Sequence, residues 1–76
     1  MSKQEQLIEF IIQDIIRYLV ADLRIEYDKA MNIFYNSKTF DKLQDTETGL
    51  YLESSAYVYS ILQDEMNFGR IIQNEI

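Results

Sequence analysis

The sequence predicts an all-α fold: a small bundle of three main helices plus one short helix, forming a single helical domain over residues 1–76. Apolar residues recur at helical spacing in three long segments. Connections of a few residues favour antiparallel neighbours. A chain of 76 residues also holds only one hydrophobic core. The predicted helices cover residues 3–23, 26–36, 38–43 and 54–68.

The first helix is marked by apolar pairs four residues apart, which is a helical repeat. Ser2 is expected to cap its start, with Glu5 at the third position of the first turn, the arrangement called a capping box. The pairs are Leu7/Ile8, Ile11/Ile12, Ile15/Ile16 and Leu19/Val20, followed by Leu23.

The apolar stripe of this helix is predicted to be too wide for a monomer. A four-residue repeat drifts by about 40° per step, whereas a helix in a small bundle needs a stripe of roughly 100°. We therefore expect the surplus to face outward and to contact a second copy or a protein partner. The candidate contact residues on this helix are Ile8, Ile12, Ile15 and Leu19, or their immediate neighbours.

The second helix is expected to begin after residues 24–26, where the apolar pattern changes phase without a Gly or Pro. Its buried face follows the spacing of a single stripe. Asn36 and Ser37 predict its end, and Ser37 or Thr39 is expected to cap the short helix that follows. The predicted buried face consists of Tyr27, Ala30, Met31, Phe34 and Tyr35.

The segment from Gln44 to Glu53 is predicted to be an ordered loop, because turn-forming residues precede Gly49. Ser54 or Ser55 is expected to cap the last long helix, which buries an apolar stripe and stops or kinks at Gly69. The isoleucine-rich tail 70–76 is expected to pack on the domain or on a neighbour. The predicted stripe comprises Val58, Ile61, Leu62 and Met66, with Glu65 at its polar end.

The composition disfavours catalysis and metal binding. The chain has no Cys and no His, so disulfides, thiolate zinc sites and the commonest general base are excluded. A calcium loop with Gly49 at its sixth position would place Gln44 at the first and Ser55 at the twelfth, which are weak ligands. We expect no enzyme activity, catalytic residue, cofactor, metal site or small-molecule substrate, and a cytoplasmic location without membrane contact.

The negative charge is concentrated in the second half of the chain. The net charge is −6, of which residues 41–65 carry −5. In a helix-turn-helix interpretation of residues 27–43, the short second helix has neither an Arg nor a cluster of Gln or Asn residues to read base edges. Direct nucleic-acid binding is therefore disfavoured, because a polyanion is repelled by the acidic half.

Six tyrosines in a short chain point to protein contacts, since Tyr is enriched at interfaces. Core burial with an outward hydroxyl is the alternative. We expect Tyr27, Tyr35 and Tyr57 to be core residues. The tyrosines predicted for a contact surface are Tyr18, Tyr51 and Tyr59.

Residues 36–65, NSKTFDKLQDTETGLYLESSAYVYSILQDE, resemble a pattern in a family of small bacterial proteins with a domain of unknown function. Some members are encoded beside toxin–antitoxin-like genes, and the resemblance implies binding to another protein rather than an activity. The residues that carry it are Asn36, Ser37, Thr39, Leu43, Thr48, Gly49, Leu50, Tyr51, Ser54, Tyr57, Val58 and Tyr59.

Together these features predict a non-enzymatic protein–protein interaction module that acts as a homodimer, in an antitoxin-like or regulatory role. The alternative is a nucleic-acid-associated transcriptional regulator. Its contact with DNA would run mostly through a partner protein, because the basic residues of this chain are scattered rather than clustered.

Overall fold

A computed structural model describes the backbone of residues 2–75 and the side chains of residues 2–68. The chain is 85% helical, which confirms the all-α class, and the described backbone contains no strand. Four α-helices and two 3₁₀ turns are present, so the predicted arrangement of three main helices and one short helix is only approximately correct. They are α1 (Lys3–Leu23), α2 (Tyr27–Tyr35), α3 (Lys38–Gln44), the 3₁₀ turns Thr46–Thr48 and Leu50–Leu52, and α4 (Ser55–Glu75).

The predicted capping box begins α1. The backbone N–H of Glu5 donates to Ser2 Oγ at 3.1 Å, and Ser2 Oγ donates to Glu5 Oε1 at 3.3 Å. The helix ends at Leu23 because Arg24 adopts the left-handed conformation, with φ of 53°. A left-handed residue satisfies a helix C-terminus as Gly commonly does. The break inferred from the phase change is therefore confirmed.

Serine side chains also start the later helices. Ser37 Oγ accepts from the Phe40 backbone at 3.0 Å, so Ser37 rather than Thr39 caps α3. Ser54 Oγ accepts from the Tyr57 backbone at 3.1 Å, so Ser54 rather than Ser55 caps α4. Each cap satisfies an amide that the first turn leaves without a partner.

The end predicted for the last helix is wrong. The backbone of α4 continues through Gly69 to Glu75, because Gly within a helix costs only about 1 kcal/mol relative to Ala. The expected packing of tail 70–76 concerns side chains outside the described residues. None of the described helices is long and apolar enough to cross a membrane.

The core lies along one face of α1 and is closed by three partners. Helices α2 and α4 and the 3₁₀ turn Leu50–Leu52 all contact α1. Phe34 of α2 is fully buried beside it, and the Phe40 ring meets Phe34 edge-on with centroids 5.3 Å apart. The buried apolar residues are Ile11, Ile12, Ile15, Ile16, Leu19, Ala30, Phe34, Leu43, Leu50, Val58, Tyr59 and Leu62.

Candidate interaction surfaces

Most of the predicted contact residues of α1 lie inside the core. Ile12, Ile15 and Leu19 are buried within a single chain, so the expectation that they face outward is wrong. The reason is that the turn Leu50–Leu52 packs on α1 beside α2 and α4, and three partners cover a wider stripe than two helices do. Ile8 is half-buried at the edge of the core, and its contact role stays a prediction.

The division of the tyrosines is also largely reversed. Tyr59, predicted for a contact surface, is buried. Its hydroxyl donates to Asp22 at 2.7 Å, and its ring packs on Tyr18 with centroids 5.1 Å apart. Burial raises the pKa of the Tyr59 hydroxyl, and the hydrogen bond to Asp22 and its negative charge raise the pKa further. Tyr59 therefore joins α4 to α1 within the chain.

The tyrosines assigned to the core are exposed. Tyr27, Tyr35 and Tyr57 all keep large exposed fractions, because the core is already filled by Phe34 and by aliphatic residues of α1 and α4. Tyr18 is exposed and Tyr51 is half-buried, and their contact roles stay predictions.

The segment between the turn Leu50–Leu52 and α4 runs along one side of α1. The amide of Gln4 donates to the Tyr51 hydroxyl at 3.1 Å, and Ser55 Oγ donates to Asp14 at 2.6 Å. Leu7 lies between these two anchor points on the same side of α1. Leu52 comes directly after Tyr51, the first anchor.

Three large apolar side chains are exposed in this part of the molecule, and we call them the α1 outer surface: Leu7, Phe10 and Leu52. Their exposed fractions are 40% for Leu7 and 69% for both Phe10 and Leu52. Leu7 and Phe10 are three residues apart and so share a side of the helix. The sequence signal for Phe10 is its position at the edge of the apolar stripe, whereas nothing local distinguishes Leu52.

Glu65 forms the main polar contact between α3 and α4. Its carboxylate accepts from the backbone N–H groups of Lys38 and Thr39, both at 2.8 Å, and from the Thr39 hydroxyl at 2.7 Å. Partial burial raises the pKa of Glu65, but the hydrogen bonds from Lys38 and Thr39 outweigh it, so the pKa lies below its ordinary value. This contact fixes the first turn of α3 against α4, and both oxygens of the carboxylate accept hydrogen bonds within the chain.

The described residues contain no group of three acidic, His or Cys side chains placed to hold a metal ion. Their one ion pair joins Arg17 to Asp14 at 3.8 Å. Within this part of the chain, every buried side-chain nitrogen or oxygen has a hydrogen-bond partner. The described side chains thus offer surfaces for contact rather than an unsatisfied polar site.

Comparison of the chain with protein-family models, with curated proteins and with solved structures finds no match. The resemblance of residues 36–65 to small bacterial proteins stays a prediction. Any functional proposal must therefore rest on the surfaces described above.

Proposed function

We propose that this chain is a non-enzymatic protein–protein interaction module, a cytoplasmic regulatory component that forms a homodimer through the α1 outer surface. The supporting observation is the joint exposure of Leu7, Phe10 and Leu52. Isolated exposed apolar residues are ordinary, but neighbouring ones that leave the solvent together release free energy in proportion to their area. Leu7 and Phe10 lie on the same helix as the four residues first predicted for the dimer contact, and Leu7 is an immediate neighbour of one of them, Ile8.

The spacing of residues on α1 suits a second copy of the same helix. Lys3, Leu7, Phe10 and Asp14 follow one another at intervals of four, three and four residues. In an antiparallel pair with its two-fold axis between Ile8 and Glu9, Leu7 packs against Phe10 of the second copy. The same arrangement places Lys3 opposite Asp14, so the apolar and charged positions on this side of the helix pair with themselves. Self-complementarity of this kind is what a two-fold interface requires.

Dimer formation also answers the small size of the domain. A core from a chain this short supplies only about 3–5 kcal/mol, and the described side chains include no disulfide to add to it. A second copy that binds only the folded form raises the apparent stability through mass action. The proposal therefore implies a midpoint of unfolding that rises with protein concentration.

Replacement of Phe10 by Ser tests the proposal. We expect sedimentation velocity at micromolar concentrations to show a dimer for the unaltered chain. For Phe10→Ser, the dissociation constant of the dimer should rise at least about tenfold. The basis is that burying a Phe contributes about 1.5–3 kcal/mol and tenfold corresponds to about 1.4 kcal/mol. Circular dichroism should show that the helical content is unchanged, because the Phe10 side chain is mostly exposed and contributes little to the core.

Tyr57→Ser is the matched control, since Tyr57 is an aromatic residue with an exposed fraction of 53% on α4. We expect this variant to dimerise like the unaltered chain. The proposal is wrong if the unaltered chain stays monomeric over the accessible concentration range, or if Tyr57→Ser weakens the dimer as much as Phe10→Ser does.

A further inference from the structure

A groove runs along a different side of α1, between the N-terminal half of this helix, the end of α3 and the 3₁₀ turn Thr46–Thr48. Its volume is about 410 Å³. Ile8 and Ile12, one turn apart, provide its apolar side chains, and Glu5 and Glu9 stand one turn apart beside them. Leu7 and Phe10 do not line the groove, so it is separate from the α1 outer surface.

The charge of the groove is wholly negative. Its lining includes two glutamates and no Lys or Arg. Neither Glu5 nor Glu9 forms an ion pair with a described side chain. Glu5 accepts one hydrogen bond, from Ser2 Oγ at 3.3 Å, which leaves acceptor capacity on both carboxylates. The net charge of −6 gives the whole chain the same sign, so long-range attraction and the local groove favour the same kind of partner.

We propose that this groove binds a basic segment of a partner protein, with an Arg or Lys side chain seated between α1 and the turn Thr46–Thr48. The alkyl stem of such a side chain packs on Ile8 and Ile12, while its charged end reaches Glu5 and Glu9. Arg and Lys combine an apolar stem with a charged head in this way, and Arg pairs with carboxylates through two parallel hydrogen bonds. The inference rests on the proposed interaction function and names a second partner for the module.

Other occupants fit the groove less well. An acidic segment or a nucleic acid is repelled both by the two glutamates and by the net charge. A purely apolar segment would leave the carboxylates of Glu5 and Glu9 without partners at the contact, at a cost in desolvation. A second copy of this chain makes its proposed contact through the α1 outer surface instead.

The test uses two synthetic peptides of equal length and equal apolar content, one rich in Arg and the other rich in Glu. We expect the Arg-rich peptide to bind the full chain and to shift the amide NMR signals of Glu5, Ile8, Glu9 and Ile12, with affinity that falls as salt is added. The Glu-rich peptide should not bind. Fluorescence anisotropy with labelled peptides gives the dissociation constants.

The variant Glu5→Gln/Glu9→Gln should bind the Arg-rich peptide at least about tenfold more weakly, because both carboxylates that pair with the basic side chain lose their charge. Gln at position 5 keeps the capping box intact, because Glu and Gln serve there alike. The control Glu53→Gln/Asp64→Asn removes the same charge from exposed positions outside the groove and should bind almost normally.

Equal losses in the two variants would overturn the proposal, because binding would then reflect net charge alone. Undetectable binding, equal binding of both peptides, or NMR shifts confined to another surface would overturn it as well. The dimer is a separate outcome: Glu5→Gln/Glu9→Gln should still dimerise, and Phe10→Ser should still bind the Arg-rich peptide. A failure of one contact is thus distinguishable from a failure of the other.

Discussion

Replacing Phe34 by Ala should lower the free energy of unfolding by about 3–5 kcal/mol. Phe34 is fully buried, and its ring contacts Phe40 edge-on at the junction of α2 and α3. Removal of the ring loses the free energy gained by burying it. It also leaves a cavity that the short neighbouring helices cannot fill completely. Since a core from a chain this short supplies only about 3–5 kcal/mol, the variant should lose most of the stability of the monomer.

Urea denaturation followed by circular dichroism measures this effect, at a concentration low enough to keep the chain monomeric. Phe10→Ala is the matched control, because the same atoms are removed from an exposed site. Its effect should lie within about 0.5 kcal/mol of zero. Similar effects for the two variants would show that Phe34 is not the buried centre of the core.

The second large effect is expected at Glu65. Replacement by Ala should cost about 1–3 kcal/mol, because the backbone N–H groups of Lys38 and Thr39 and the Thr39 hydroxyl then lose their shared acceptor. Glu65→Gln should cost less, since its amide oxygen still accepts a hydrogen bond. Asp64→Ala, at an exposed neighbouring carboxylate, serves as the control and should be nearly neutral.

The contribution of Glu65 should also depend on pH. The pKa of Glu65 is lowered in the folded chain from an ordinary value of 4.5, so the folded state favours the carboxylate and the unfolded state takes up a proton first as pH falls. The stabilisation is therefore fully present at neutral pH and is lost as pH falls through the folded pKa. The difference in unfolding free energy between the unaltered chain and Glu65→Gln should shrink in acid. A constant difference down to pH 3 would contradict this account.

Local signals in the sequence are enough to predict the helices. Ser2 with Glu5 predicts the start of α1, and the phase change at residues 24–26 predicts its end, because caps and apolar periodicity act within a turn or two of the chain. The end of α4 was not predictable in the same way. Gly69 is compatible with both a helix end and a helix interior, and its own neighbours do not decide between them.

The distribution of buried and exposed residues depends on contacts between distant segments, which the sequence does not display. Most of the wide apolar stripe of α1 is buried because the turn Leu50–Leu52 packs against this helix beside α2 and α4. Tyr59 can be buried because its hydroxyl donates a hydrogen bond to Asp22, 37 positions earlier in the chain. For the same reason some residues predicted for a contact surface, such as Ile15, belong to the core instead.

The most direct test of the proposed homodimer is an isotope-filtered NMR experiment on an equal mixture of labelled and unlabelled chains, which detects only contacts between copies. The antiparallel arrangement predicts cross-peaks between the methyl groups of Leu7 and the ring of Phe10 from the other copy. Contacts between copies that involve Tyr57 or Phe68 instead, or no such contacts at millimolar concentration, would contradict the proposal that the module self-associates through the α1 outer surface.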